Sequence, residues 1–194
     1  MKKENKMSTH TLVLGALMSA LVIVFQLLAT YTAFFGPFST AIALIPIAIG
    51  AILCGPAIGA WLGFVFAVVV LASGGAALFL AVDIPGTFVT VLAKGILCGF
   101  ISGLAYNFLK KWNSTIAAII AAILCPIVNT GVFMLGCFIF FMDDVVTLAS
   151  NLGSAKTGAA LFVSLALGNF LFELVLNAIL SPVFVKLLNI RKKV

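Results

Sequence analysis

The chain alternates between long apolar runs and short segments that carry most of its charged residues. An α-helix needs about 20 mostly apolar residues to cross the hydrocarbon core of a bilayer. The runs predict six helices, at about 11–31, 40–53, 57–71, 87–109, 115–141 and 158–188. The second run is short for a complete span, and we expect Pro46 to bend it. Residues 76–86 are expected to form an outer connection between the third and fourth helices.

The composition places these helices in a membrane. Hydrophobic residues make up 64% of the chain and charged residues 8%, and the mean hydropathy is +1.33. A water-soluble domain of this size could not bury so much apolar surface. The first run is longer than the core of a signal peptide and lacks a clear cleavage site, so we expect it to stay as a helix. The sequence therefore predicts an all-α integral membrane protein, with residues 1–194 forming a single six-helix domain.

The distribution of charge predicts the orientation. Basic residues fall at both ends of the chain and at Lys110 and Lys111. In a six-helix count these clusters share one side, while Asp83, Asp143 and Asp144 lie on the other. Because short loops rich in Lys and Arg stay in the cytoplasm, both termini should be cytoplasmic in a multi-pass protein of the plasma membrane. The net charge of +6 is explained in this way and does not indicate a nucleic-acid partner.

Polar side chains inside the apolar runs are the candidate functional residues. Thr87, Thr90 and Lys94 are three and four positions apart, so they share one helix face. A charge near the centre of a membrane helix costs about 2.5–3.5 kcal/mol and usually faces a bundle interior or a wet cavity. The full set of predicted substrate-binding residues is Lys94, Glu173, Asn129, Asn169, Thr90, Thr87 and Gln26.

We expect these side chains to meet between the outer half and the middle of the membrane. There Lys94 would bind an anionic group of a small polar ligand, while Glu173 and the asparagines would bind its hydroxyl or amide groups. A purely structural Lys94–Glu173 ion pair is the alternative. The two interpretations are compatible, because a ligand can divide a pair that forms in the empty site.

Small residues at four-residue spacing predict close helix contacts. Gly95, Gly99 and Gly103 form one such face on the predicted fourth helix. Ala16 and Ala20 form another on the first helix, where either internal packing or the docking of a partner helix would explain them.

Enzyme chemistry has little support in the sequence. No glycine-rich phosphate loop is present, so the chain should not hydrolyse ATP itself. The one histidine, His10, is at the membrane edge, and the four cysteines match no metal motif. We expect no catalytic residue, no metal and no cofactor.

Taken together, these features resemble the substrate-binding S component of energy-coupling factor (ECF) vitamin transporters. The resemblance rests on the six helices, the cytoplasmic termini, Ala16 and Ala20, the turn at 54–60 (CGPAIGA), and Lys94-Gly95 followed by Gly99 and Gly103. It implies high-affinity capture of a vitamin, docking on a transmembrane coupling subunit through Ala16 and Ala20, and energy from two ATPase subunits. It also implies that residues 31–39 form a lid over the site.

Within that family the chain looks most like the pantothenate- and folate-type branch. A single buried lysine suits a vitamin with a carboxylate, and Glu173 with the asparagines suits hydroxyl and amide groups. A stand-alone membrane carrier or channel without ATPase partners is the first alternative. A structural or assembly protein, in which Lys94 and Glu173 only pair with each other, is the second.

Overall fold

The computed structural model describes residues 9–31, 42–141, 167–168, 170–171, 173–180, 182 and 185–186. In the first two ranges six helices follow one another: α1 (Thr9–Tyr31), α2 (Leu44–Cys54), α3 (Pro56–Ala72), α4 (Ala77–Leu80), α5 (Ile84–Leu109) and α6 (Ser114–Phe140). The described residues between 167 and 186, here called the C-terminal segment, are also helical. The predicted lid at 31–39, apart from Tyr31, and the loop carrying Asp143 and Asp144 lie outside the described residues.

Three of the helices are long and apolar enough to cross a membrane. They are α1, α5 and α6, with 23, 26 and 27 residues. At 1.5 Å per residue, even the shortest of them measures about 35 Å, which exceeds the roughly 30 Å of the hydrocarbon core. Helices α2 and α3 are shorter and also apolar. An all-helical chain of this kind is consistent with an integral membrane protein.

Two sequence predictions are wrong, one about a bend at Pro46 and one about the connection at 76–86. Pro46 does not interrupt α2, because the helix begins at Leu44 and the proline lies in its first turn, where a missing N–H is tolerated. Residues 76–86 are not simply a connection, because they contain α4 and the first turn of α5. Helix α5 begins early because Asp83 caps it, with its carboxylate accepting a hydrogen bond from the Gly86 N–H at 3.1 Å.

Helix α5 is the central element of the described bundle, and glycines allow α3 to contact it directly. A Cβ added to Gly63 would overlap with the Gly95 carbonyl, and one added to Gly99 would overlap with the Gly59 carbonyl. The two backbones therefore touch along this crossing. The prediction that the glycines of α5 form a packing face is confirmed.

Helix α6 packs antiparallel to α5. Gly86 lies against Phe140 and Thr90 lies against Gly136 near one end. Further along, the Ser102 hydroxyl donates to the Ala121 carbonyl at 2.7 Å. This register places the middle of α6 beside Lys94.

The α2–α3 turn fixes how the shorter helices meet. Gly55 has φ +94°, a backbone conformation that disfavours residues with a side chain, and Pro56 begins α3 directly after it. The predicted glycine-proline turn is therefore a sharp reversal with no intervening loop.

Candidate functional site

Lys94 lies in the middle of α5, beside aromatic rings from the two helices that pack against it. Its ammonium is 5.8 Å from the centre of the Phe66 ring on α3 and 4.8 Å from that of Phe133 on α6. The side chain is half-buried. Glu173 of the C-terminal segment is close enough to attract the ammonium electrostatically. The structure thus brings together the two charged residues that the sequence predicted to meet.

The two threonines of the α5 stripe are both buried but differ in their hydrogen bonds. Thr87 is 1% exposed, and its hydroxyl donates to the Asp83 carbonyl at 2.6 Å. Thr90 is 3% exposed, and its hydroxyl has no hydrogen-bond partner in the part of the chain that the structure describes. Thr87 therefore contributes to the start of α5, whereas Thr90 retains an unused polar atom one turn from Lys94.

Asn129 brings a buried amide into the same part of α6. It lies one turn before Phe133 and three residues after Pro126, which is inside the helix. Its side chain is 5% exposed, and no described residue forms a hydrogen bond with its Oδ1. Since Phe133 contacts Lys94, Asn129 occupies the next turn of the helix that faces the lysine.

The C-terminal segment contributes Glu173 and Asn177, both buried. The Asn177 Nδ2 donates to the Glu173 carbonyl at 2.9 Å, while its Oδ1 has no partner among the described residues. Asn169, which was also predicted to bind the substrate, lies outside the part of the chain that the structure describes. Asn177 adds a buried amide that the predicted site did not include, although its spacing from Glu173 is a recognisable signal.

Gln26 belongs to a separate network between α1 and α3. Its Nε2 donates to the Thr30 hydroxyl at 3.2 Å, and Thr30 is in turn hydrogen-bonded to Ser73 at 3.2 Å. Gln26 is 1% exposed, and its Oε1 has no hydrogen-bond partner in the described ranges. Within the described residues no hydrogen bond joins it to Lys94. Gln26 is therefore a buried polar residue like the others, placed on a different helix pair.

The sequence did not single out Phe66 and Phe133 as neighbours of Lys94. Phenylalanine occurs 18 times in the chain, so its identity alone carries no signal. Only the register of α3 and α6 against α5 shows which rings approach the ammonium.

The small residues of α1 differ in their exposure. Gly15 is buried against Ile58 of α3, and the Ser19 hydroxyl donates to the Gly15 carbonyl at 2.8 Å. Ala16 and Ala20 are exposed. In the described residues, the packing of α1 therefore uses the glycine side and leaves the alanine side open.

The cysteines are buried or half-buried thiols without disulfides. Cys98 donates to the Gly95 carbonyl at 3.1 Å, as a small residue within a helix can. Among the described residues, no three His, Cys, Asp or Glu side chains lie together in a way that could hold a metal ion.

Comparison with known protein families decides what kind of membrane protein this is. Residues 10–185 match the family described as ECF transporter, substrate-specific component. The chain belongs to this family. Neither curated proteins nor solved structures give a match.

Membership gives the buried residues a functional context. An S component is a subunit of a transporter and not an enzyme, and it resides in the plasma membrane as a multi-pass protein. It works with the ATPases and the transmembrane subunit of an ECF module and handles a small-molecule substrate.

Proposed function

We propose that this S component binds a small vitamin that carries a carboxylate, such as pantothenate or folate, in a site centred on Lys94. The observation that carries the proposal is the half-buried ammonium in the middle of an apolar helix, with partnerless polar atoms nearby on α5 and α6. A charge at this depth is costly unless it has a role or a partner.

The charge of Lys94 favours an anion as its ligand. Glu173 attracts the same ammonium from the C-terminal segment, so the charge of Lys94 is already partly compensated within the protein. A carboxylate from the vitamin would bind the ammonium directly. Glu173 would then accept hydrogen bonds from the hydroxyl or amide groups of the vitamin.

Neutral polar atoms supply the rest of the proposed site. Three oxygen atoms are buried and have no hydrogen-bond partner within the described ranges: Thr90 Oγ1, Asn129 Oδ1 and Asn177 Oδ1. Each such atom costs about 1–3 kcal/mol, a cost that a bound ligand can remove. Thr87, Asn169 and Gln26 complete the proposed set; Gln26 would contact the ligand from α1.

On the proposed topology of six spans with cytoplasmic termini, Lys94 and Asn129 lie at similar depths in the membrane. Counting 1.5 Å per residue from the start of α5 at Ile84, Lys94 lies about 15 Å below the outer end. Counting back from the end of α6 at Phe140, Asn129 lies about 16 Å below it. Both values correspond to the middle of a core of about 30 Å, so the two side chains would share one level.

The exposed alanines of α1 are the proposed contact with the transmembrane coupling subunit of the ECF module. Ala16 and Ala20 are one turn apart and small, so a partner helix could approach closely. Two ATPase subunits would provide the energy. In this arrangement the ligand contacts α5 and the buried face of α1. The coupling subunit contacts the exposed face of α1.

Binding to the purified protein tests the substrate class. Calorimetric titration with pantothenate, folate, riboflavin and cobalamin should show tight binding of one of the first two. Absence of binding to all four would contradict the proposal. Uptake into vesicles that contain this protein alone, without ATPases, would favour the stand-alone carrier instead.

A further inference from the structure

The ammonium of Lys94 lies over two aromatic rings. Both ring centres, of Phe133 at 4.8 Å and of Phe66 at 5.8 Å, are within the roughly 6 Å over which a cation is attracted to the face of a ring. This attraction is strongest where water is excluded. Phe66 is 2% exposed and Phe133 is half-buried, so neither contact lies in bulk solvent.

The ring of Phe133 is itself held in place by a second layer of aromatic residues. Phe79 of the short helix α4 meets it edge-on, with centres 5.4 Å apart and planes at 87°. Phe79 also contacts Phe141, at 5.4 Å and 68°. Cys137 packs within the same group. Edge-to-face pairs of this kind restrict the orientation of both rings.

An aromatic ring differs from a carboxylate as a partner for the ammonium. Glu173 attracts the charge and also offsets it, so a ligand anion must compete with it. A ring attracts the ammonium without bearing a net charge, and the cation keeps its full attraction for an anion. The ring also limits the conformations of a long, flexible side chain, and that lowers the entropy lost when a ligand binds.

We infer that Phe133, assisted by Phe66, positions the Lys94 ammonium for the carboxylate of the ligand. This inference deepens the proposed function and rests on it. Phe133 acts through Lys94, so it is a positioning residue, and Phe79 of α4 supports its orientation. Among rings of the same shape at position 133, those with lower electron density should then give weaker vitamin binding.

Fluorinated phenylalanines test this dependence. Fluorine withdraws electrons from the face of the ring and changes its size little. We would introduce mono-, di- and trifluorinated phenylalanine at position 133 and titrate each protein with pantothenate and folate. Affinity should fall stepwise, to about tenfold weaker for the trifluorinated ring. The same series at Phe138, which is 68% exposed on the same helix, should leave affinity unchanged.

A second arm needs no vitamin. Thermal unfolding of the trifluorinated protein is compared in the native and Lys94→Met backgrounds. Fluorination should lower Tm by roughly 2 °C more when the lysine is present. An equal shift in both backgrounds would overturn the contact between the ring and the cation.

The two arms separate this inference from the proposed function. If neither vitamin binds the native protein, the proposed function is contradicted and the inference fails with it. If a vitamin binds the native protein and binds the proteins fluorinated at position 133 with the same affinity, the inference alone is overturned.

Discussion

Thr90 of α5 packs directly onto Gly136 of α6, and a Cβ on that glycine would overlap with both the hydroxyl and the methyl group of the threonine. The glycine therefore allows a hydroxyl to lie in a helix interface where an apolar side chain would be expected. Among the residues that the structure describes, that hydroxyl has no hydrogen-bond partner. A membrane helix that retains such a group gains nothing in stability from it, so a role in binding is the simplest explanation.

Replacement of Thr90 by valine tests this explanation. Valine has nearly the same shape and removes the partnerless hydroxyl, so Tm without ligand should stay the same or rise. Affinity for the vitamin should fall about tenfold, because one hydrogen bond to the ligand is lost. Calorimetry and thermal unfolding of the same preparation measure both effects.

Ser102→Ala is the matched control. The Ser102 hydroxyl is buried and donates to the Ala121 carbonyl at 2.7 Å, so its loss should lower stability by about 1 kcal/mol and leave affinity unchanged. A Thr90→Val protein that loses stability but keeps its affinity would show that Thr90 is structural.

The contact between α3 and α5 should tolerate no added side chain. In a Gly63→Ala protein, the new methyl group would overlap with the Gly95 carbonyl, so the helices must separate. We expect a loss of stability of about 1–3 kcal/mol, or failure to fold, measured by thermal unfolding in detergent. Gly131→Ala on α6 is the control, since nothing lies within 4 Å of its added Cβ. Equal stability of the two variants would contradict this packing.

Docking should depend on the exposed alanines of α1. Ala16→Trp or Ala20→Trp places a large side chain on the open face, so uptake by the complete ECF transporter should be abolished while vitamin binding to the isolated protein persists. Leu135→Trp, at a position that is 62% exposed on α6, should affect neither. Loss of binding in the alanine variants would indicate a role in folding instead.

Exchanging the charges of Lys94 and Glu173 distinguishes a binding site from a structural ion pair. Lys94→Glu combined with Glu173→Lys keeps the attraction between α5 and the C-terminal segment. The doubly substituted protein should fold, but it should no longer bind an anionic vitamin, since the cation and its aromatic neighbours are separated. Retained transport would support the structural interpretation.

Much of the described fold could be predicted from the sequence, because apolar runs and small-residue spacing follow directly from the bilayer and from helix geometry. The positions of α1, α3 and α6 are within a few residues of the predictions. The predicted start of α5 at residue 87 is wrong, because Asp83 and Pro85 belong to a capped first turn and not to a loop. The earlier start places Lys94 deeper than a helix beginning at Thr87 would.

The candidate site could be predicted in its polar residues but not in its apolar ones. Lys94 and Glu173 are conspicuous in an apolar sequence, and the structure places Glu173 within range of electrostatic attraction to the Lys94 ammonium. Phe133 is one phenylalanine among 18, and only the antiparallel register of α5 and α6 brings it to the ammonium. The sequence also predicted Gln26 as a site residue because it is polar in an apolar run. In the structure its side chain is hydrogen-bonded within the Thr30–Ser73 network.

We propose above that Lys94 binds the carboxylate of the vitamin. Calorimetric titration of the native protein and of Lys94→Met, each with pantothenate and with its alcohol analogue that lacks the carboxylate, tests it most directly. Lys110→Met, at the exposed end of α5, is the control and should bind like the native protein.

The native protein should prefer pantothenate to the alcohol by about thirtyfold or more, and Lys94→Met should bind both equally weakly. For a folate-binding protein, the same comparison would use folate and an amide derivative of its carboxylates. A Lys94→Met protein that still prefers the carboxylate as strongly as the native protein would contradict the account.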